Sequence, residues 1–343
     1  METMQSDSRR VVVVLGAGRS GTSLMMQILV AMGMQVSKNL IPANISNPEG
    51  FFEDADIKEI HAGLISSLGS FAYIPLLDDW MSSEPVKTAL PTLKRALKVS
   101  LDASGGVFGL KDPRMNMLLP LWMRVFNQLS VVPRFVLAVR TPDHVVASMV
   151  RQYNDSPSVA ELAWLTRSIE ALEHTGLDCF IAHYEDLLLD QMPLAQALLQ
   201  YTGLDQDFKG NLSDVLANTL KPNLNRASKD EYRIQNPYVT KLYEALKQCH
   251  GADFDRDRLM TVVKECRHAM EGFKGWYQLA HETKKKLANT QARLESVSAE
   301  VAKVNALEAR IKEFEKGKQR TKELGQQVNK LLWQLESFET WNS

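Results

Sequence analysis

Five consecutive apolar residues, Val11-Val12-Val13-Val14-Leu15, run straight into Gly16-Ala17-Gly18-Arg19-Ser20-Gly21-Thr22-Ser23. No other stretch constrains the fold as strongly. A row of β-branched residues suits a strand. An unbroken apolar run, as opposed to an alternating one, suits a strand covered on both faces, as in a parallel sheet. The glycines that follow permit tight turns and leave backbone N–H groups open. A helical pattern over residues 22–32 turns its positive N-terminal end toward the same loop. Strand, glycine loop and helix together make a cradle for a phosphate-like anion; an ordinary strand–turn–helix corner is the plainer reading.

Three more short apolar runs read as buried strands: residues 107–110 (VFGL), 134–139 (RFVLAV) and 178–183 (DCFIAH). Helical patterns lie around residues 54–68, 84–103, 116–128, 142–151 and 158–175. This alternation implies βαβ units and an α/β fold with a mostly parallel sheet flanked by helices. The chain has 343 residues, room for roughly two domains at about 150 residues each. One, residues 9–275, is the α/β domain. The texture changes near Gly272 and Trp276, and residues 279–338 form a helical tail with dense charge and no proline.

In that tail Leu287, Leu294 and Val301 stand seven apart, with Val297 and Val304 between them. Val304, Leu307, Ile311 and Phe314 continue the stripe, and Leu324, Val328, Leu331, Leu335 and Phe338 resume it. Lys318, Thr321 and Gly325 interrupt, so the register slips near residues 318–325. The pattern predicts a coiled coil that serves a homo-oligomer or a partner protein. A single long helix folded back on the domain is the alternative.

The charge sum is −1, which speaks against the nucleic-acid backbone as main partner but leaves room for a local anion pocket. Three widely spaced cysteines, Cys179, Cys249 and Cys266, form neither a disulfide framework nor a zinc site and suit a reducing compartment. No apolar run approaches the roughly 18 residues of a membrane span. The polar start, residues 1–10, and the short run after it do not make a signal peptide. A cytoplasmic protein is expected.

The glycine loop nearly matches GxxxxGK[ST], with Gly16, Gly21 and Ser23 in place. Thr22, however, stands where the lysine would be, and the cation is Arg19. The strand over residues 134–139 ends in Arg140, not in an acidic magnesium ligand. The loop therefore reads as a P-loop relative that holds phosphates with arginine and lysine and uses no metal.

Three blocks carry a family resemblance: Arg19-Ser20-Gly21-Thr22-Ser23; Lys111-Asp112-Pro113-Arg114; and Arg140 with Ser148. On these the chain resembles sulfotransferases that use 3′-phosphoadenosine 5′-phosphosulfate (PAPS), in particular the bacterial branch whose first motif reads RSGTS. The likeness spans about residues 11–227. It implies that Arg19, Ser20, Gly21, Thr22 and Ser23 hold the 5′-phosphosulfate, with Arg19 also steadying the leaving oxygen. It implies that Arg140 and Ser148 hold the 3′-phosphate, and Arg151 is placed to assist. By likeness to the protein-tyrosine type, Lys111 stabilises the transferring group, and Arg114 is a candidate for the donor or an acidic acceptor. Arg226 falls where members have a basic loop near the donor. The segment 182–188 (AHYEDLL) resembles a family element and reads as mainly structural.

Sulfuryl transfer needs a base for the acceptor hydroxyl. Residues 47–54 (NPEGFFED) offer Glu53 first and Glu49 second, although Glu53 and Asp54 also suit a helix N-terminus; His61 competes. The branch is associated with glycan or glycolipid acceptors, and Phe51, Phe52, Tyr73 and Trp80 are candidates to stack on a sugar. Two other readings stand beside this one: a divergent P-loop small-molecule kinase, and a non-catalytic coiled-coil scaffold that retains a nucleotide pocket.

Overall fold

The computed structural model describes residues 10–44, 47, 49–70, 74–220 and 232–339; Tyr73 and Arg226 lie outside them. The chain divides into two compact units, residues 1–281 and 282–343.

The first unit is built on four strands, β1 (Arg10–Leu15), β2 (Phe108–Lys111), β3 (Val132–Val139) and β4 (Phe180–His183). They pair in the order β2-β1-β3-β4, all parallel. β1 therefore has a neighbour on each side, and its apolar run is buried as the sequence requires. Val11, Val13 and Leu15 enter one core and Val12 and Val14 the other, following the two-residue period of a strand. The described helices are α1 (Thr22–Ala31), α2 (Ala55–Ser67), α3 (Glu84–Asp102), α4 (Met115–Gln128), α5 (Pro142–Tyr153), α6 (Pro157–His174), α7 (Asp186–Leu189), α8 (Gln191–Thr202), α9 (Leu212–Thr219), α10 (Pro237–Leu246), α11 (Arg256–Glu271) and α12 (Lys274–Glu339). Helices of the first unit flank the sheet, an α/β fold of the kind the alternating pattern predicts.

Strand ends differ from expectation by one or two residues. β2 extends to Lys111, because Val14 and Lys111 are registered partners. β4 begins two residues later than expected. Leu177 is left-handed at φ 61° and Asp178 N–H bonds back to Thr175, so Asp178 and Cys179 belong to the turn that closes α6.

Parallel pairing has one consequence that matters for the site. The residues just past all four strands, Gly16, Asp112, Arg140 and Tyr184, emerge at the same edge of the sheet, where open α/β folds bind ligands.

In the second unit the backbone is helical through residue 339, with no break at residues 318–325. The apolar stripe of this helix is bare: Leu294, Val301, Ile311 and Leu331 are each more than half exposed. Among the described residues no helix is long and apolar enough to cross a membrane.

Candidate active site

The loop after β1 is shaped by two glycines. Gly16 has φ +142°, and a Cβ there would lie 2.6 Å from the carbonyl oxygen of Ala138 on β3. Gly21, the residue ahead of α1, has φ +86°, and its Cβ would meet the Tyr184 ring at 2.5 Å. Any larger residue would force the loop away from both neighbours. Asn116, fully buried on α4, clamps Gly16 from the other side: its Oδ1 accepts from Gly16 N at 3.2 Å and its Nδ2 donates to Gly16 O at 2.8 Å. The fixed loop carries Arg19 at φ 71°. Ser20 is buried with its hydroxyl oxygen unpartnered.

Arg19 Nε donates to Ser148 Oγ at 3.0 Å, and Arg140 Nη1 donates to Arg19 O at 3.2 Å. Residues separated by more than a hundred positions thus meet in one cluster. The Arg140 guanidinium lies 4.4 Å from the centre of the Tyr184 ring, a favourable cation–π contact. Burial lowers the Arg140 pKa, Tyr184 and Glu185 oppose that, and Arg19 reinforces it. Arg151 is exposed and does not line the cleft described below. Arg167, on α6, lines it. It is 6% exposed, and its Nη1 comes within 3.2 Å of where a Cβ on Gly18 would be.

On the other side of the loop, Lys111 Nζ donates to Glu53 Oε1 at 2.6 Å and to Phe51 O at 3.2 Å. The neighbouring Asp54 caps α2 by accepting from Ile57 N at 2.9 Å. The two acids that were open to either role are thereby separated: Asp54 caps and Glu53 faces the lysine. Residue 47 and the 49–51 loop are tied to α1, since Asn47 Nδ2 donates to Ser23 Oγ at 3.3 Å and Gln27 Nε2 to Glu49 O at 3.4 Å.

The structure removes His61 as a base. It is fully buried, with Nδ1 2.9 Å from Asp112 Oδ2 and Nε2 accepting from Trp122 Nε1 at 2.9 Å. Both ring nitrogens are committed, which leaves none for a substrate proton. The tryptophan donor fixes the tautomer: Nδ1 carries the hydrogen that Asp112 accepts. Asp112 also accepts from Arg114 N and Nη1. Burial alone raises the Asp112 carboxyl, but His61 and Arg114 outweigh it and hold it well below the ordinary carboxylate range. This chain orients Arg114 at the cleft wall.

Around the loop lies a cleft of about 470 Å³. Its described lining holds six cationic side chains, Arg19, Lys58, Lys111, Arg114, Arg140 and Arg167, against two carboxylates, Glu49 and Glu53. A nearly neutral chain has therefore concentrated positive charge at one place, which favours a polyanionic ligand. Phe51 lines the cleft, whereas Phe52 and Trp80 line other pockets. The segment expected to be structural is mostly so: His183 Nε2 donates to Cys249 O at 2.9 Å, and Glu185 Oε1 accepts from Thr141 N and Oγ1. Tyr184 is the exception and walls the cleft.

Sequence reasoning missed Arg167 and Asn116 as parts of the site. The available signal was the largely apolar stretch 163–172 of α6, buried throughout in the fold, which places Arg167 and Glu170 among Leu165, Ile169 and Leu172; charges in such a run call for a partner. Among the described residues no group of three or more His, Cys, Asp or Glu side chains is placed to hold a metal ion.

Residues 11–208 match the model of the sulfotransferase family. The chain matches no curated protein. Among solved structures it is similar to the sulfotransferase domain of the Synechococcus PCC 7002 olefin synthase, at 15% identity and TM-score 0.37 over 77% of this chain and 97% of that one. It is also similar to the sulfotransferase domain from the curacin biosynthetic pathway, at 15% identity and TM-score 0.39 over 75% and 98% of the two chains. The family model covers more than half of the chain, from β1 past Arg140 and Ser148 to the residues after α8, and on that match the protein belongs to the sulfotransferase family.

Proposed function

We propose that the protein transfers the sulfuryl group of PAPS to a hydroxyl of a glycan or glycolipid acceptor. The observation that carries this reading is the meeting of Arg19, Ser148 and Arg140 on one side of the glycine loop and of Lys111 and Glu53 on the other, around one cationic cleft. The cleft suits the donor in three respects. Glycine at 16 and 21 lets the loop stay tight, Thr22 and Ser23 put hydroxyls on the cleft wall, and the cations outnumber the acids.

In this reading Arg19, Ser20, Gly21, Thr22 and Ser23 bind the 5′-phosphosulfate, and Arg140 and Ser148 bind the 3′-phosphate. Tyr184 and Arg167 complete the donor side; Arg226 is an expected further contact. The acceptor oxygen attacks sulfur as the bond from sulfur to the bridging phosphate oxygen breaks, and adenosine 3′,5′-bisphosphate leaves. Glu53 takes the acceptor proton. Its Oε1 is held by Lys111, so Oε2 is the oxygen offered to the acceptor, with Glu49 the second choice. Lys111 and Arg19 stabilise charge on the sulfuryl and leaving oxygens. The mechanism calls for no metal.

The bare stripe on the tail is proposed to pair as a coiled coil, with a second copy or a partner protein. Three buried free cysteines suit a reducing compartment, and a cytoplasmic location is part of the reading.

Calorimetry with adenosine 3′,5′-bisphosphate, and separately with ATP plus magnesium, tests the donor. Bisphosphate binding that is lost in Arg19→Ala and Arg140→Ala supports it and opens an acceptor screen. A folded protein that ignores the bisphosphate sinks it; ATP binding then favours a kinase, and binding of neither favours a scaffold.

A further inference from the structure

Trp80 is a candidate to stack on a sugar, and the fold places it outside the cationic cleft. It lines a separate pocket of about 210 Å³ that shares no described lining residue with the cationic cleft. The pocket lies where the turn after α2 and the start of α3 meet His281 of α12. Lys274 pairs with Asp78, and His281 Nε2 donates to Pro75 O at 3.1 Å, so this end of α12 belongs to the wall.

Two polar atoms in the pocket wall are buried and unpartnered: His281 Nδ1, on a residue 5% exposed, and Ser83 Oγ. The bond to Pro75 settles the chemistry of the first. A carbonyl only accepts, so the hydrogen sits on Nε2, and in the neutral ring Nδ1 is a spare acceptor. Ser83 is the cap residue of α3, yet its hydroxyl makes no capping bond, so it too is spare. Cap serines ordinarily accept from the first turn, and a buried polar atom left unpaired is costly. Beside these two atoms stand the indole of Trp80, the apolar Leu68 and Leu76, and the carboxylate of Asp79. The volume corresponds to about seven waters at roughly 30 Å³ each, room for one ring-sized molecule.

We propose that this pocket binds a single pyranose-sized polyol ring. Such a ring has a C–H face for Trp80 and rim hydroxyls for His281 Nδ1, Ser83 and Asp79. A plain hydrocarbon would leave both buried polar atoms unpaired, and a small anion would face Asp79 with no described cation in the lining. The proposal does not rest on sulfuryl transfer, because ring binding is read without donor.

Saturation-transfer NMR on the full chain with the methyl glycosides of glucose, galactose and mannose tests it, with cyclohexanol as control. At least one glycoside is expected to bind at millimolar concentration. Binding should be lost in Trp80→Ala, weakened at least threefold in Ser83→Ala, and unchanged in Arg140→Ala. Circular dichroism of each variant checks its fold, and Ser83→Ala carries the test if Trp80→Ala does not fold. No transfer from any of the three glycosides overturns the proposal. So does transfer that Ser83→Ala leaves at full strength, equal binding of cyclohexanol, or loss of binding in Arg140→Ala, which would place the ring in the cationic cleft.

Discussion

Lys111 Nζ lies 2.6 Å from Glu53 Oε1, and both side chains are more than nine-tenths buried. The end of β2 is thereby joined to the loop ahead of α2, and two groups with separate proposed roles become one unit. Glu53→Gln keeps the shape and removes the proton acceptor. Transfer is expected to slow by about a hundredfold or more, with bisphosphate affinity unchanged. Lys111→Met leaves a buried carboxylate without its partner and should also cost about 3–5 kcal/mol of stability. Turnover and urea unfolding measured on both variants separate the two effects. A Glu53→Gln enzyme of native rate would move the base elsewhere.

The donor side predicts a graded series. Arg140→Ala and Arg167→Ala each remove a cation from the cleft, and bisphosphate affinity should fall at least tenfold, the equivalent of about 1.5–3 kcal/mol for a hydrogen bond to a charged group. Ser148→Ala should cost less, about fivefold, while Arg151→Ala, outside the cleft lining, should change affinity less than twofold. Calorimetric titration of the four variants orders them. Equal affinities for Arg167→Ala and the native chain would remove Arg167 from the donor site.

Gly16→Ala tests the loop geometry. The new methyl group would meet the backbone oxygen of Ala138 at 2.6 Å, with φ in the region that favours glycine. A loss of roughly 2 kcal/mol or more is expected, read as a lower urea midpoint at unchanged slope. Gly33→Ala is the control: its φ of +104° strains the backbone too, but a Cβ there meets nothing within 4 Å, so it should lose less.

Glu170 gives a pH prediction. Burial pushes its carboxyl up to about 7 from an ordinary 4.5, against the pull of Arg267 and Arg167 and with the support of Glu173. Between those values the native state keeps a proton that the unfolded chain has released, so stability falls as pH rises through the window, by roughly 3 kcal/mol in all. His174, held down to about 4 by burial and Arg267, works the other way between about 4 and its ordinary 6.5. Glu170→Gln removes the first slope and keeps the second. Urea unfolding at pH 4.5 and 7.5 should therefore show the native chain losing stability relative to the variant. Parallel curves would refute the assignment.

The tail predicts an assembly. Sedimentation equilibrium of the native chain should give a mass above the 38.6 kDa monomer, and Leu294→Glu with Val301→Glu and Ile311→Glu should return it to that value with bisphosphate binding intact. A native monomer would leave a partner protein as the occupant of the stripe.

What the sequence determined by itself was local. The apolar, β-branched run of β1 reads as a strand covered on both faces. The glycine spacing required a turn that opens toward a helix, and Lys111 and Arg140 stood out as cations at or just past the ends of short apolar runs, their expected roles coming only with the family resemblance. Local pattern reaches only as far as a strand, a turn or a helix face. The tertiary structure decided every pairing that joins distant segments. Glu53 and Asp54 look alike in sequence, and only the approach of β2 gives Lys111 to the first while the backbone of α2 takes the second. His61 looked free until Trp122 and Asp112 closed on both of its nitrogens. Tyr184 lines the cationic cleft because parallel pairing brings the C-terminal ends of the four strands to one edge; Arg167 reaches the same cleft from α6, and Trp80 lines a different pocket. Such contacts link residues tens to more than a hundred positions apart, and they exist only once the sheet has fixed where each segment emerges.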